Sequence, residues 1–120
     1  MLKGFYTSIG KKEIDGGFEE WVKLNPSHVI YQVHFPGNPI TPGVCILQMC
    51  QELLAVQYGK TLRMKSAKNI KFLNVLNPLE HAEVRFSVKC SETGTGLKAV
   101  ILISDGEVEF AKVSTEYGWI

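Results

Sequence analysis

The chain is 120 residues long, 45% hydrophobic and 21% charged, with a formal net charge of +1 and three cysteines. That much apolar side chain suits a single packed domain over residues 1–120 and excludes a disordered tail, while three cysteines are too few, and odd in number, for a disulfide scaffold. Met1 to Tyr6 lacks the apolar core of a secretory signal and no run reaches the ~20 apolar residues of a membrane span, so a soluble cytoplasmic protein with reduced thiols is expected.

Phe18 to Leu24 and His28 to Phe35 read as strands, rich in β-branched and aromatic residues. In the second, Val29, Tyr31 and Val33 alternate against Ile30, Gln32 and His34, and Asn25-Pro26-Ser27 separates the two as a turn. The stretch Gly37 to Gly43 then breaks regular structure, with Thr41 expected as an N-cap and Pro42 at the first helical position. Val44 to Tyr58 is apolar almost all round apart from Gln48, Gln51, Glu52 and Gln57, which predicts a buried helix closed by Gly59 in the left-handed region.

Between Glu52 and Glu80 there is no acidic residue, yet Lys60, Arg63, Lys65, Lys68 and Lys71 fall there. Such a segment either attracts an anionic partner or guards a strand edge against aggregation. The run is short and Phe72 is its one aromatic, so nucleic acid is not the expected partner. Ile70 to Val75 reads as a strand, and Val84, Phe86, Val88 and Cys90 alternate against Glu83, Arg85, Ser87 and Lys89. A hairpin loop over Glu92 to Gly96, an apolar strand over Ala99 to Ile103, a tight turn at Asp105-Gly106 and a strand over Val108 to Tyr117 complete the pattern. One long helix among antiparallel strands predicts an α+β domain with the sheet wrapped around the helix. Its free edge and apolar rim predict pairing with a second copy.

The chemistry concentrates in His34-Phe35-Pro36-Gly37-Asn38-Pro39-Ile40-Thr41-Pro42-Gly43-Val44. A histidine is followed by a rigid loop and then a helix start, where Gly43 and Val44 are the first free amide donors because Pro42 has none. Free amides at the positive end of a helix suit an oxygen gaining negative charge, and a base beside them suits removal of a proton α to a carbonyl. Elsewhere the expectations are structural. His28 and His81 read as exposed or turn residues, and Cys45, Cys50 and Cys90 as small core residues. Gln48, Gln51 and Glu52 share one polar stripe of the helix, facing either a wet site or polar backbone.

The His34–Val44 run is similar to the signature of the (3R)-3-hydroxyacyl-acyl-carrier-protein dehydratases of fatty-acid synthesis, the FabA/FabZ group. Lys71 to Pro78 resembles that family's Lys-Phe-x-x-Pro-Val-x-Pro-Gly segment. The resemblance implies a hotdog fold, assembly as a dimer or trimer of dimers, and action on acyl carrier protein thioesters without metal or cofactor. It implies His34 as the catalytic histidine and the Gly43 amide, helped by Val44, as the group polarising the thioester carbonyl. Phe35, Pro36 and Val44 would border the substrate. The family's acid, which protonates the leaving hydroxyl, sits on the central helix of the other subunit; here Gln48 stands in its place and has no acidic proton to give. Glu52, one turn on, is an alternative acid. Thr41 and the Asn77-Pro78-Leu79 segment also depart from the family pattern. Three functions stay open: a 3-hydroxyacyl thioester dehydratase, an impaired thioester-binding subunit whose partner chain supplies the acid, and a hotdog thioesterase.

Overall fold

The structure, a computed structural model, describes residues 2–33 and 37–120. In chain order its elements are β1 (Tyr6–Ile14), β2 (Gly17–Leu24), α1 (Val29–Val33), α2 (Gly43–Tyr58), β3 (Leu62–Phe72), β4 (Glu83–Glu92), β5 (Gly96–Ser104) and β6 (Glu109–Trp119). The strands form one 6-stranded sheet in the order β1-β2-β4-β5-β6-β3. Every neighbouring pair is antiparallel.

Alternation builds the inner wall. Phe18, Val22 and Leu24 of β2, Val84, Phe86 and Val88 of β4, Leu97, Ile101 and Ile103 of β5, and Ala111, Val113 and Tyr117 of β6 are all buried. Against them α2 packs Cys45, Ile46, Met49, Cys50, Leu53 and Leu54. Each large aliphatic side chain buried this way contributes roughly 1.5–3 kcal/mol. Both edge strands reach the same helix: Tyr6 of β1 bonds Glu52, and the Gln51 amide donates to the Leu62 carbonyl of β3 at 2.9 Å. The sheet therefore curls around α2, the expected hotdog arrangement.

Four local expectations are corrected. The segment after Asn25 is the short helix α1 rather than a strand. The Ser27 amide bonds Asn25 Oδ1, and His28 Nδ1 accepts the Ile30 amide at 3.1 Å, so the turn runs on into a helix. Val29 and Val33 stay exposed, and Tyr31 alone is buried, stacked on Phe5. The helix start lies one residue later than expected: Pro42 is the N-cap, with extended backbone, and Thr41 makes no cap bond. Instead the buried Thr41 hydroxyl pairs with Tyr31 at 2.9 Å, and its amide donates to the Leu76 carbonyl. Gly59 does close the helix, at φ 62°.

The helix is also less buried than its composition suggested, since Val44 and Val56 are 73% and 74% exposed and one stripe of α2 faces out between the edge strands. Finally, the basic run forms most of β3, which begins at Leu62 and ends at Phe72, before Val75. Irregularities between Met64 and Ser66 and between Ala67 and Asn69 throw Lys65 and Lys68 out of register with β6, which hides the strand's period. β1 had no sequence signal at all; seven of its nine residues are exposed, so neither face alternates. Among the described residues no helix is long and apolar enough to cross a membrane.

Candidate functional site

The start of α2 borders a cavity of about 330 Å³ formed by Ile40, Thr41, Gly43, Ile46 and the Phe72–Leu76 segment. Two tethers hold this wall together, the Thr41 amide on Leu76 O at 2.8 Å and the Leu73 amide on Phe110 O at 2.8 Å. Phe72 lies flat against the helix start: a Cβ on Gly43 would meet its ring at 2.6 Å, so glycine is what lets the ring approach. The first amides bonded back into the helix are those of Cys45 and Ile46, both on the Pro42 carbonyl. The Gly43 and Val44 amides have no acceptor among the described residues, which leaves two donors at the positive end of a 16-residue helix. His34, Phe35 and Pro36 lie outside the described residues.

Gln48 belongs to a different concavity, a groove of about 480 Å³ along the outward stripe of α2, bordered by Tyr6, Gln51, Val56 and Lys60. Here Glu52 is the hub. Its Oε1 accepts from the Tyr6 hydroxyl at 2.9 Å, and its Oε2 accepts from the Leu2 amide at 2.9 Å and from Gln48 Nε2 at 3.0 Å. Burial, reinforced by the bond to Glu52, pushes the Tyr6 phenol well above its ordinary value, so it stays protonated and keeps donating. Val44 and Gln48, four residues apart, share this face, whereas Gly43 faces the Phe72 cavity. The polar stripe thus meets both of its expected surroundings: Gln51 reaches polar backbone on β3, and Gln48 and Glu52 face a groove.

The residues expected to be structural fall mostly as read. Cys45 and Cys50 are buried, and burial raises both thiols, the opposite of what an activated nucleophile needs. Cys90 is only half-buried and sits 3.1 Å from the Tyr58 hydroxyl. His28 braces the amino-terminal segment through Lys3 O at 2.9 Å. His81 is neither free nor merely exposed: Nδ1 lies 2.7 Å from Asp105 Oδ2 and the ring packs edge-on to Phe110. Asp105 also accepts the Val108 and Glu107 amides, and these backbone bonds, more than His81, hold its carboxyl below the usual range. Among the described residues no three of His, Cys, Asp and Glu converge as a metal would require. The residues that sequence reasoning missed are Tyr6, the Leu2 amide and the Phe72 ring. Tyr6 and Leu2 meet Glu52 across 46 and 50 residues of chain, where no spacing rule reaches.

Residues 12–107 match the ApeI-like family, ApeI dehydratase. The chain belongs to the ApeI-like dehydratase family. It is 31% identical over 88 residues to a 3-hydroxyacyl-[acyl-carrier-protein] dehydratase FabZ of Latilactobacillus sakei, covering 68% of this chain and 63% of that one. It is also 31% identical over 103 residues to a FabZ of Caulobacter vibrioides, covering 73% of this chain and 64% of the relative. The chain therefore spans somewhat under two thirds of the length of these curated relatives. In fold it is similar to a chain of the dehydratase heterocomplex ApeI:P from Xenorhabdus doucetiae, with TM-score 0.74 and 15% identity over 93% of this chain and 96% of the other. An uncharacterised Erwinia carotovora protein shares the fold at TM-score 0.70 and 20% identity, over 100% of this chain and 98% of its own.

Proposed function

We propose that this ApeI-like protein removes water from (3R)-3-hydroxyacyl thioesters carried by acyl carrier protein, giving the enoyl thioester in acyl-chain synthesis. His34 takes the C2 proton. The Gly43 amide, with that of Val44, stabilises the negative charge that then develops on the thioester oxygen, a contribution of about 10²–10³ in rate for one such donor. Gln48 holds the 3-hydroxyl, and Phe35, Pro36 and Val44 border the acyl thioester. The observation that carries this reading is the start of α2, where the Gly43 and Val44 amides have no acceptor among the described residues and Gly43 borders a cavity that the preceding loop adjoins. Product identity tests it: a 3-hydroxyacyl thioester should yield the conjugated enoyl thioester, whereas release of free thiol would mark a thioesterase instead.

Gly43 and Gln48 line different concavities of one chain, which supports a site completed by a second chain, as in a dimer whose helices exchange Gln48. The exposed Arg63, Lys65, Lys68 and Lys71 on β3 give an acidic carrier protein a surface to dock on, next to Phe72 at the cavity. A cytoplasmic location fits the three free thiols.

A second reading is favoured by Glu52. Each of its three hydrogen bonds is accepted, and Gln48 has no acidic proton, so the polar face of α2 presents no proton donor of useful strength. On this reading the chain is the binding half of a hetero-oligomer and a related subunit supplies the acid. The ApeI:P neighbour is itself a heterocomplex. Mixing the protein with a candidate partner should then raise turnover well above the sum of the two alone.

A further inference from the structure

We propose that Glu52 is a positioning residue: it fixes which end of the Gln48 amide meets the substrate, so that Gln48 recognises a 3-hydroxyl by accepting its hydrogen. This rests on the reading that Gln48 contacts the acyl chain near C3.

A glutamine amide has a donating and an accepting end, and its role depends on which one faces the ligand. Here the choice is made by neighbours. Glu52 already receives the Tyr6 hydroxyl and the Leu2 amide, so it acts as an acceptor, and only the NH₂ end of Gln48 can complete its set, at 3.0 Å. That commits Nε2 to the helix's own neighbour one turn on. Oε1 has no donor among the described residues, and the groove beside it is open. Tyr6 reinforces the arrangement, since its raised phenol stays protonated and keeps donating to Glu52 Oε1, which holds the carboxylate in its accepting role.

The chemical consequence is a discrimination. A ligand whose third carbon bears a hydroxyl gives Oε1 its missing donor, and one with a bare methylene there leaves it unpaired. A net hydrogen bond of this kind corresponds to roughly threefold to tenfold in affinity.

The test uses two unreactive pantetheine amides of equal chain length, one 3-hydroxyacyl and one plain acyl, with affinities measured by calorimetry. The natural protein should bind the hydroxy ligand threefold to tenfold more tightly. Glu52→Leu frees the amide to rotate, so Oε1 is no longer held toward the ligand and the difference between the two affinities should shrink. Glu52→Gln should restore the preference, because its amide oxygen can face Leu2 and Gln48 while its NH₂ turns to the Tyr6 oxygen. A loss of packing would weaken both ligands alike and would not be rescued in this selective way. Full preference in folded Glu52→Leu, or equal binding by the natural protein, would overturn the proposal. Should Glu52→Leu fail to fold, the Gln48 side-chain amide of the natural protein decides by NMR. One proton shifted downfield and slow to exchange is expected; two freely exchanging protons contradict it. If the hydroxy ligand is preferred yet no thioester is dehydrated, the dehydratase reading fails and the positioning role stands.

Discussion

Tyr31 and Thr41 show how a single hydroxyl pair holds the approach to the helix. Both are buried, their oxygens 2.9 Å apart, and burial pushes the Tyr31 phenol up to about 12, so the pair stays neutral over the working pH range. Tyr31→Phe keeps the stacking on Phe5 but strands the Thr41 hydroxyl away from water. The expected cost is about 1–3 kcal/mol, read as a lower urea midpoint with an unchanged slope. Because the Thr41 amide also ties the loop to the Leu76 carbonyl, amide exchange should rise at Thr41 before it rises in the β4–β5 core. At this scale the sequence named the right neighbourhood for the helix start, since Pro42-Gly43 punctuation marks it directly. It could not show that Thr41 turns inward to Tyr31, because that choice depends on α1 replacing the expected strand.

The turn between β5 and β6 carries the clearest pH dependence. Asp105 Oδ1 accepts the Val108 and Glu107 amides at 2.7 and 2.9 Å, and Oδ2 meets His81. These contacts lower its folded-state carboxyl below the unfolded value. Their contribution is therefore fully present above the unfolded value near 4 and is lost as pH falls through the lower folded one. Exchange at Glu107 and Val108 should accelerate below about pH 4, and Asp105→Ala should abolish that acid step and lower the melting temperature at neutral pH. Legibility differed by element for physical reasons. β2, β4 and β6 announce themselves because one face is buried and the other wet. β1 is exposed on both faces, and β3 carries lysines out of register, so both lack the period that a reader can detect. In α1, five residues of alternating pattern fit a strand equally well until Asn25 and His28 cap the turn.

At the scale of the whole molecule, two sheet edges and one stripe of the central helix stay uncovered. The sheet leaves β1 and β3 as edges, and the outward stripe of α2 between them exposes Val44 and Val56 beside the half-buried Gln48–Glu52 pair. Light scattering at micromolar concentration should give at least a dimer mass, and a monomer, with or without a partner chain, would count against a site built from two helices. The out-of-register, exposed Lys65 and Lys68 are poor candidates for strand pairing and good ones for charge recognition. Lys65→Glu with Lys68→Glu should weaken binding of an acyl carrier protein by up to roughly 1 kcal/mol per lost pair. That loss should shrink at high salt, with free pantetheine thioesters unaffected.

The most direct measurement of the proposed chemistry is the initial rate of enoyl formation from a 3-hydroxyacyl thioester by three proteins: the natural chain, His34→Ala and Gln48→Glu. Gln48→Glu sets two carboxyl groups one turn, ~5.4 Å, apart, and their mutual repulsion raises the affinity of the pair for a proton, which suits a donor at neutral pH. A slow natural protein, no activity in His34→Ala, and a rate about 10²-fold higher in Gln48→Glu are the expected results, because general acid help is worth at least that much. A fast natural protein that Gln48→Glu slows, or one indifferent to His34→Ala, would contradict it.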